Sequence, residues 1–262
     1  LSDIDRAAER ILNALKSGEK IAIYGDYDVD GVSATSIMLF VLRELAPRGG
    51  SGDSDAQLIP YIPHRMEEGY GLNAEAMEQL AAQGVRVVVS VDCGITAFAP
   101  AERAKELGID LIITDHHNPP EDVASLPNAY AIVHPRHPAR PYPFGDLCGA
   151  GVAYKLAWRM CTMAHGDSKL PAHLRTLMVE LLAFAALGVI ADVVPLVDEN
   201  RVFARFGLER IRHSPFVGLR ALVDASNLDT EKVKASDVGF RLAPRLNAAG
   251  RLGHAKDALE SV

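Results

Sequence analysis

The chain has 262 residues, 48% hydrophobic and 23% charged, an ordinary globular composition with enough apolar material for one large α/β domain or two small ones. No apolar run reaches the roughly 18 residues that a bilayer-spanning helix needs, so no membrane association is expected, and the polar, amphipathic opening LSDIDRAAERILNALKSGEK lacks the pattern of a signal peptide. The formal net charge of −7 argues against a nucleic-acid-binding surface over the whole chain, but not against a local basic groove, since carboxylates that hold cations make the count too negative.

In chain order the pattern alternates strand and helix, the signature of a parallel sheet with helices on its faces. After the amphipathic N-terminal helix, the run Ile21 to Tyr24 (IAIY) reads as a buried strand. A helix follows over about Val32 to Leu45. Pro47 to Ala56 (PRGGSGDSDA) is a Gly/Ser/Asp-rich loop. Gln57 to Pro63 (QLIPYIP) is a further strand whose prolines suit a sheet edge. Helices at Ala74 to Gln83 and Ala97 to Leu107 alternate with strands at Val85 to Val91, Leu111 to Thr114 and Ala131 to Val133. Gly84 and Gly108 stand where helix C-terminal glycines belong. From Gly149 the chain turns mainly helical, clearest at Val152 to His165 and His173 to Ile190, and after Asp198 it is mixed and polar.

The chemistry gathers at the strand ends. IAIY runs into Gly25-Asp26-Tyr27-Asp28-Val29-Asp30-Gly31, VVVSV into Asp92-Cys93-Gly94, and LIIT into Asp115-His116-His117. In an open α/β sheet, sites form beyond the carboxyl ends of the strands, so these loops should converge. A fourth acidic position, Asp192, follows a long apolar helix. A single aspartate at a strand end is commonly a helix cap, and a His-His pair is commonly structural. Three successive acidic strand ends, one with paired histidines, are hard to produce by capping alone, and the clustered carboxylates would repel one another without a cation. Oxygen ligands with one or two imidazoles suit Mn²⁺ or Mg²⁺. A bridging carboxylate between two ions about 3.5–4 Å apart is the arrangement of two-metal phosphoester hydrolysis.

These residues resemble the DHH phosphoesterases, named for the motif that is here Asp115-His116-His117. The D-x-D-x-D-G turn (Asp26 to Gly31), the aspartate of VDCG (Asp92) and the AD-x-x-P segment (Asp192) match the other motifs of that superfamily. Within it, GDYDVDG, EEGYGL (Glu67 to Leu72), LCGAGVAYKL (Leu147 to Leu156), GVIADVVPLVDENR (Gly188 to Arg201) and APRLNAAGRLGHA (Ala243 to Ala255) are most similar to the RecJ type of exonuclease. The resemblance covers nearly the whole chain.

It implies a metal-dependent, single-stranded-DNA-specific 5′-to-3′ exonuclease acting in repair and recombination, with two Mn²⁺ or Mg²⁺ ions. Asp30, Asp92, His116 and Asp192 would hold one ion, and Asp28 and Asp92 the other, with Asp92 bridging. Asp26 and His117 would support the catalytic site, by orienting ligands or contacting the scissile phosphate, with a helix cap as the lesser reading of Asp26. Arg65, Asn247 and Arg251 would hold backbone phosphate. Tyr70 would stack on a base or belong to the core. Arg245 is explained as well by a surface salt bridge.

The alternative within the superfamily is an oligoribonuclease or cyclic-dinucleotide phosphodiesterase, and a ligand-depleted structural relative is a third. Single-stranded DNA, a single-stranded-DNA-binding protein and a helicase are the partners the resemblance implies. His134 departs from the Asn-Pro found in many RecJ-type sequences, and reads either as an added ligand or substrate contact or as a loop histidine with a local hydrogen bond.

Cys93, Cys148 and Cys161 have no C-x-x-C spacing and cannot all pair, which favours a reducing, cytoplasmic setting. Leu1 in place of Met, and an end within the helical pattern DALESV, suggest a portion of a longer protein. The expected organisation is one catalytic domain, with an α/β core up to about Asn200 and a mixed segment from Arg201 leading toward a domain that lies outside the chain. Weak, salt-sensitive DNA binding is expected of that portion alone.

Overall fold

The computed structural model describes residues 1–47, 57–64, 68–166 and 169–252, the side chains of 249–252 excepted. The Gly/Ser-rich loop expected near residue 50 lies outside the described residues, as does Arg65.

Five parallel strands form one sheet in the order β2-β1-β3-β4-β5: β1 (Lys20–Gly25), β2 (Leu58–Tyr61), β3 (Val85–Val91), β4 (Asp110–Thr114) and β5 (Ala131–Val133). β2 takes the edge, as its prolines require, with Pro60 opposite Ile23. The central strands are continuous β-branched runs because both of their faces are covered. Ile21, Ile23, Val87, Val89 and Val91 enter one buried cluster, while Ala22, Tyr24, Val85 and Val88 enter the other.

On the first face lie α1 (Ile4–Ser17), α2 (Val29–Leu45) and α5 (Gly149–Ala164); on the second lie α3 (Ala74–Ala82) and α4 (Phe98–Glu106). Gly84 and Gly108, at φ 83 and φ 69, close α3 and α4 in the left-handed conformation that their positions predict. α2 begins three residues earlier than its apolar pattern suggests, because Asp28 caps it by accepting from Gly31 N at 2.9 Å.

The mainly helical remainder packs on the first face. α6 (Ala172–Glu180) and α7 (Leu182–Ala191) replace the single helix expected there, separated by a turn at Leu181. Among the described residues, the stretch Ala172–Ala191 is long and apolar enough by composition to cross a bilayer, contrary to the sequence expectation. Its apolar side chains Leu174, Met178, Leu181 and Ala183 to Val189 are buried in the protein core.

The segment after Asp198 is also more regular than its composition suggests. It forms α8 (Asp198–Arg212), α9 (Val217–Ala225), a short α10 (Ala235–Asp237), a π-helical turn over Val238–Leu242, and α11 (Ala243–Leu252). The polar composition hid an apolar stripe: Phe203, Ala204, Gly207 and Ile211 bury one face of α8, which packs along α7.

Candidate metal centre

The strand order places the site. From β1 the chain first moves to the edge strand β2 and then crosses to the other side of β1 as β3, so the winding reverses between β1 and β3. A crevice opens beyond the strand ends at such a switch point. Gly25 pairs with Val91, and Val91 with Thr114. The next residues along the chain, Asp26, Asp92 and Asp115, therefore emerge side by side. Helix α7 brings Asp192 from outside the sheet as its C-cap residue.

Four of the carboxylates are almost sealed from solvent: Asp26, Asp30, Asp92 and Asp115 are at most 3% exposed. Each has a different environment. Asp115 accepts from Ile95 N (2.9 Å), His116 N (2.7 Å), His117 N (3.1 Å) and His117 Nδ1 (2.8 Å). Burial pushes its carboxyl up, but the His117 bond and the backbone donors outweigh it and hold the group below its ordinary value. Asp30 accepts from Gly149 N at 2.6 Å and Ala150 N at 2.9 Å, the first amides of α5. Asp28 is the α2 cap, which removes that reading from Asp26.

The remaining acids are strained as anions. Burial pushes Asp26 up to about 7, with Asp28 adding repulsion. It pushes Asp192 up to about 7 as well, with Asp30 next in effect. Asp28 and Asp92 are also raised, by burial and then by Asp30. Asp192 ends a helix, where the dipole disfavours a negative charge. Asp92 sits at φ 62, a left-handed conformation that costs a non-glycine residue about 1 kcal/mol or more. Its Oδ1 is buried without a hydrogen-bond partner, although His116 Nε2 is 3.1 Å away.

His116 is the hub. Its Nε2 lies 3.1 Å from Asp92 Oδ1, 3.7 Å from Asp192 Oδ2 and 3.8 Å from Asp30 Oδ2. Burial lowers its pKa, which favours the neutral ring, the form able to ligate a metal ion. His117 is tilted the other way by its Asp115 bond, which raises its pKa, and its Nε2 is 3.2 Å from the Tyr70 hydroxyl.

Three groups present ligand atoms that all lie within 4.8 Å of one another: Asp30-His116-Asp192, Asp26-Asp28-Asp92 and Asp92-His116-His117. The first two overlap the two ligand sets inferred from sequence, with two differences: Asp92 groups with Asp26 and Asp28 and with the histidines but not with Asp30 and Asp192, and Asp26 joins the second set. Asp26 stands at ligand distance beside Asp28 and Asp92 rather than in a purely supporting position. The donor set and the orphaned Asp92 oxygen fit hard divalent cations.

Tyr70 is 55% exposed and stands edge-on to Tyr27 and His117 at the mouth of the site, which rules out the core reading. Asn247 is half-buried on α11; among the described residues no hydrogen bond joins it to the carboxylates. Arg251 belongs to α11, and its side chain lies outside the described residues. Arg245 donates to the Arg241 carbonyl, and among the described residues no salt bridge holds it. His134 is fully buried and bonded locally, with Nε2 on the His117 carbonyl at 2.9 Å and Nδ1 accepting from Arg136 N at 2.9 Å.

Sequence reasoning underrated Asp115, whose acceptor role depends on loop geometry, and did not foresee which carboxylates Gly188 and Gly149 make room for. A Cβ on Gly188 would lie 2.1 Å from Asp30 Oδ1, and one on Gly31 2.6 Å from the Asp26 Cβ. The signal was present as glycines inside each motif.

The DHH family, N-terminal domain, matches residues 20–189. The chain is 45% identical over 259 residues to the single-stranded-DNA-specific exonuclease RecJ of Bacillus subtilis (strain 168), covering 99% of this chain and 30% of that protein. It is 39% identical over 255 residues to the RecJ of Escherichia coli (strain K12), covering 96% of this chain and 42% of that protein. The structure superposes on a crystal structure of exonuclease RecJ bound to manganese with a TM-score of 0.82 at 38% identity, over 99% of this chain and 60% of that one. On the RecJ of Thermus thermophilus in complex with Mn²⁺ the TM-score is 0.80 at 35% identity, over 100% of this chain and 34% of that one. The chain thus spans less than half the length of these curated relatives. With the family match extending from β1 to α7 and the motif residues gathered at one switch point, the chain belongs to the DHH family.

Proposed function

We propose that this chain is the catalytic portion of a RecJ-type exonuclease that hydrolyses single-stranded DNA from the 5′ end to mononucleotides, using two Mn²⁺ or Mg²⁺ ions. The observation that carries the reading is the sharing of Asp92 and His116 between groups of ligand atoms, together with the likeness to manganese-bound RecJ. Asp30, Asp192 and His116 would hold one ion and Asp26 and Asp28 the other, with Asp92 common to both.

When bound, the ions supply a water of lowered pKa and neutralise charge on the phosphate oxygens. The chain's own residues do the rest. Asp115 fixes the His117 ring through Nδ1, leaving Nε2 pointed at the mouth of the site, where Tyr70 reaches it. There His117 can exchange a proton with the nucleotide being released, and the exposed Tyr70 ring can stack on its base. Asn247, Arg65 and Arg251 would hold the phosphates that follow.

The cytoplasm suits the enzyme, whose three cysteines are all unpaired and buried. A helicase that opens the duplex and a single-stranded-DNA-binding protein that keeps it open are the partners such a substrate calls for.

The test is a substrate panel in Mn²⁺: long single-stranded DNA, linear dinucleotides and cyclic dinucleotides, with the parent chain and Asp92→Ala. Mononucleotide release from DNA, lost in Asp92→Ala, is expected. Preference for the small substrates would instead favour an oligoribonuclease or cyclic-dinucleotide phosphodiesterase, and an active Asp92→Ala would overturn the two-metal site.

A further inference from the structure

The loop carrying His116 and His117 has no helix or strand of its own, yet every polar backbone atom of these two residues is bound by a side chain. Both amides donate to Asp115 Oδ1. The His117 carbonyl accepts from His134 Nε2 at 2.9 Å. The His116 carbonyl accepts from Arg136 Nη2, while Nη1 of the same guanidinium donates to Asn118 Oδ1 at 3.0 Å.

His134 is itself locked. Arg136 N donates to its Nδ1 at 2.9 Å, so Nδ1 carries the lone pair and Nε2 the proton given to His117. Its backbone is tied through Ser2, whose hydroxyl accepts from His134 N at 3.1 Å and bonds Ile132 O at 2.7 Å. Burial holds the ring neutral, down to about 4, so this tautomer persists at pH 7.

We propose that His134 and Arg136 are positioning residues: from the end of β5 they pin the carbonyls of His116 and His117, and so set the angle at which His116 presents Nε2 to Asp30, Asp92 and Asp192. The inference rests on the metal-centre reading. A carbonyl left unpinned lets its peptide plane rotate, and a ligand that must meet three carboxylate oxygens tolerates little rotation. Residues that orient a metal ligand typically contribute about 10–100-fold in affinity or activity.

Two substitutions separate positioning from packing. The amide nitrogen of Gln falls near imidazole Nε2, so His134→Gln keeps the bond to His117 and loses the one from Arg136 N. The amide oxygen of Asn falls near Nδ1, so His134→Asn keeps the turn and loses His117. Arg136 is exposed, so Arg136→Ala removes the second pin with little risk to folding.

The experiment is Mn²⁺ calorimetry, melting in EDTA, and kcat and KM on single-stranded DNA. Arg136→Ala and His134→Asn should melt close to the parent, bind Mn²⁺ about 10–100-fold more weakly and lose kcat with KM little changed. His134→Gln should stay within about threefold of the parent in Mn²⁺ affinity, well short of that loss. If His134→Asn fails to fold, Arg136→Ala decides alone. Parent-like Mn²⁺ affinity in Arg136→Ala, or His134→Gln impaired as much as His134→Asn, would overturn the inference and leave the metal centre standing. A parent that takes up no Mn²⁺ would remove both.

Discussion

Gly149 touches Asp92 so closely that a Cβ at position 149 would lie 2.3 Å from Asp92 Oδ1 and 2.5 Å from the Asp92 Cβ. The same glycine donates its amide to Asp30 Oδ2 at 2.6 Å. The first residue of α5 thus presses against one buried carboxylate and donates a hydrogen bond to another, and it can do so only without a side chain.

Gly149→Ala should therefore injure the site more than the fold. Overpacking of this kind costs about 1–3 kcal/mol, which for a domain of this size lowers the melting temperature by several degrees. Displacement of Asp92 should in addition weaken Mn²⁺ binding at least about tenfold, as moving a ligand-orienting contact does. Calorimetry on the folded variant checks this; unchanged Mn²⁺ affinity would show that the Asp92 position is not critical.

Asp92→Asn should separate stability from activity. Asp92 as an anion is opposed by burial and by Asp30, Asp28, Asp115 and Asp26 in turn, so removing its charge relieves the metal-free protein. In EDTA the variant should melt at or above the parent temperature. Added Mn²⁺ should raise the parent's melting point by mass action and leave the variant's nearly unmoved, and nuclease activity should fall to background. Melting curves with and without Mn²⁺ give the answer.

The carboxyls at about 7 make metal binding pH-dependent. Asp26 and Asp192 carry protons part of the time near neutrality, and a cation must displace them. Mn²⁺ affinity should fall by up to about tenfold per pH unit for each such ligand as pH drops below 7, with measurable proton release on binding. For stability the sign runs the other way. Their folded pKa lies above the unfolded value of 3.8, so the folded state holds the extra protons, and their contribution to stability declines as pH rises from about 4 to about 7. In EDTA, Asp192→Asn should gain on the parent across that window. A constant difference between the two melting points would count against the raised pKa.

Tyr70 offers a ring and a hydroxyl, and the two can be told apart. Base stacking on an aromatic side chain is worth about 1–3 kcal/mol, so Tyr70→Ala should raise KM for single-stranded DNA by roughly 5–150-fold. Tyr70→Phe keeps the ring and loses only the contact to His117 Nε2; its KM should stay near the parent value. Equal KM changes in both variants would assign the effect to the hydroxyl.

The sheet, its edge strand and the convergence of Asp28, Asp30, Asp92 and His116 were legible in the sequence because they follow from local rules. β-branched runs between helical patterns make parallel strands, and parallel strands end at one edge, so acids placed after successive strands must meet. Asp192 was also legible, through its motif. What the sequence could not say is how those charges are tolerated. That Asp28 rather than Asp26 caps α2 and that Asp115 collects four donors depend on local loop geometry, whereas Gly149 and Gly188 clearing room for Asp92 and Asp30, and His134 and Arg136 gripping the histidine loop, are contacts between distant segments; no periodicity encodes either kind. The helices after Asp198 were hidden for the same reason, since the narrow stripe of Phe203, Gly207 and Ile211 becomes apolar surface only once α7 lies against it. The sequence by itself determined which residues converge on the site; the tertiary structure alone decided their orientation, because orientation is set by backbone amides and carbonyls that packing brings together.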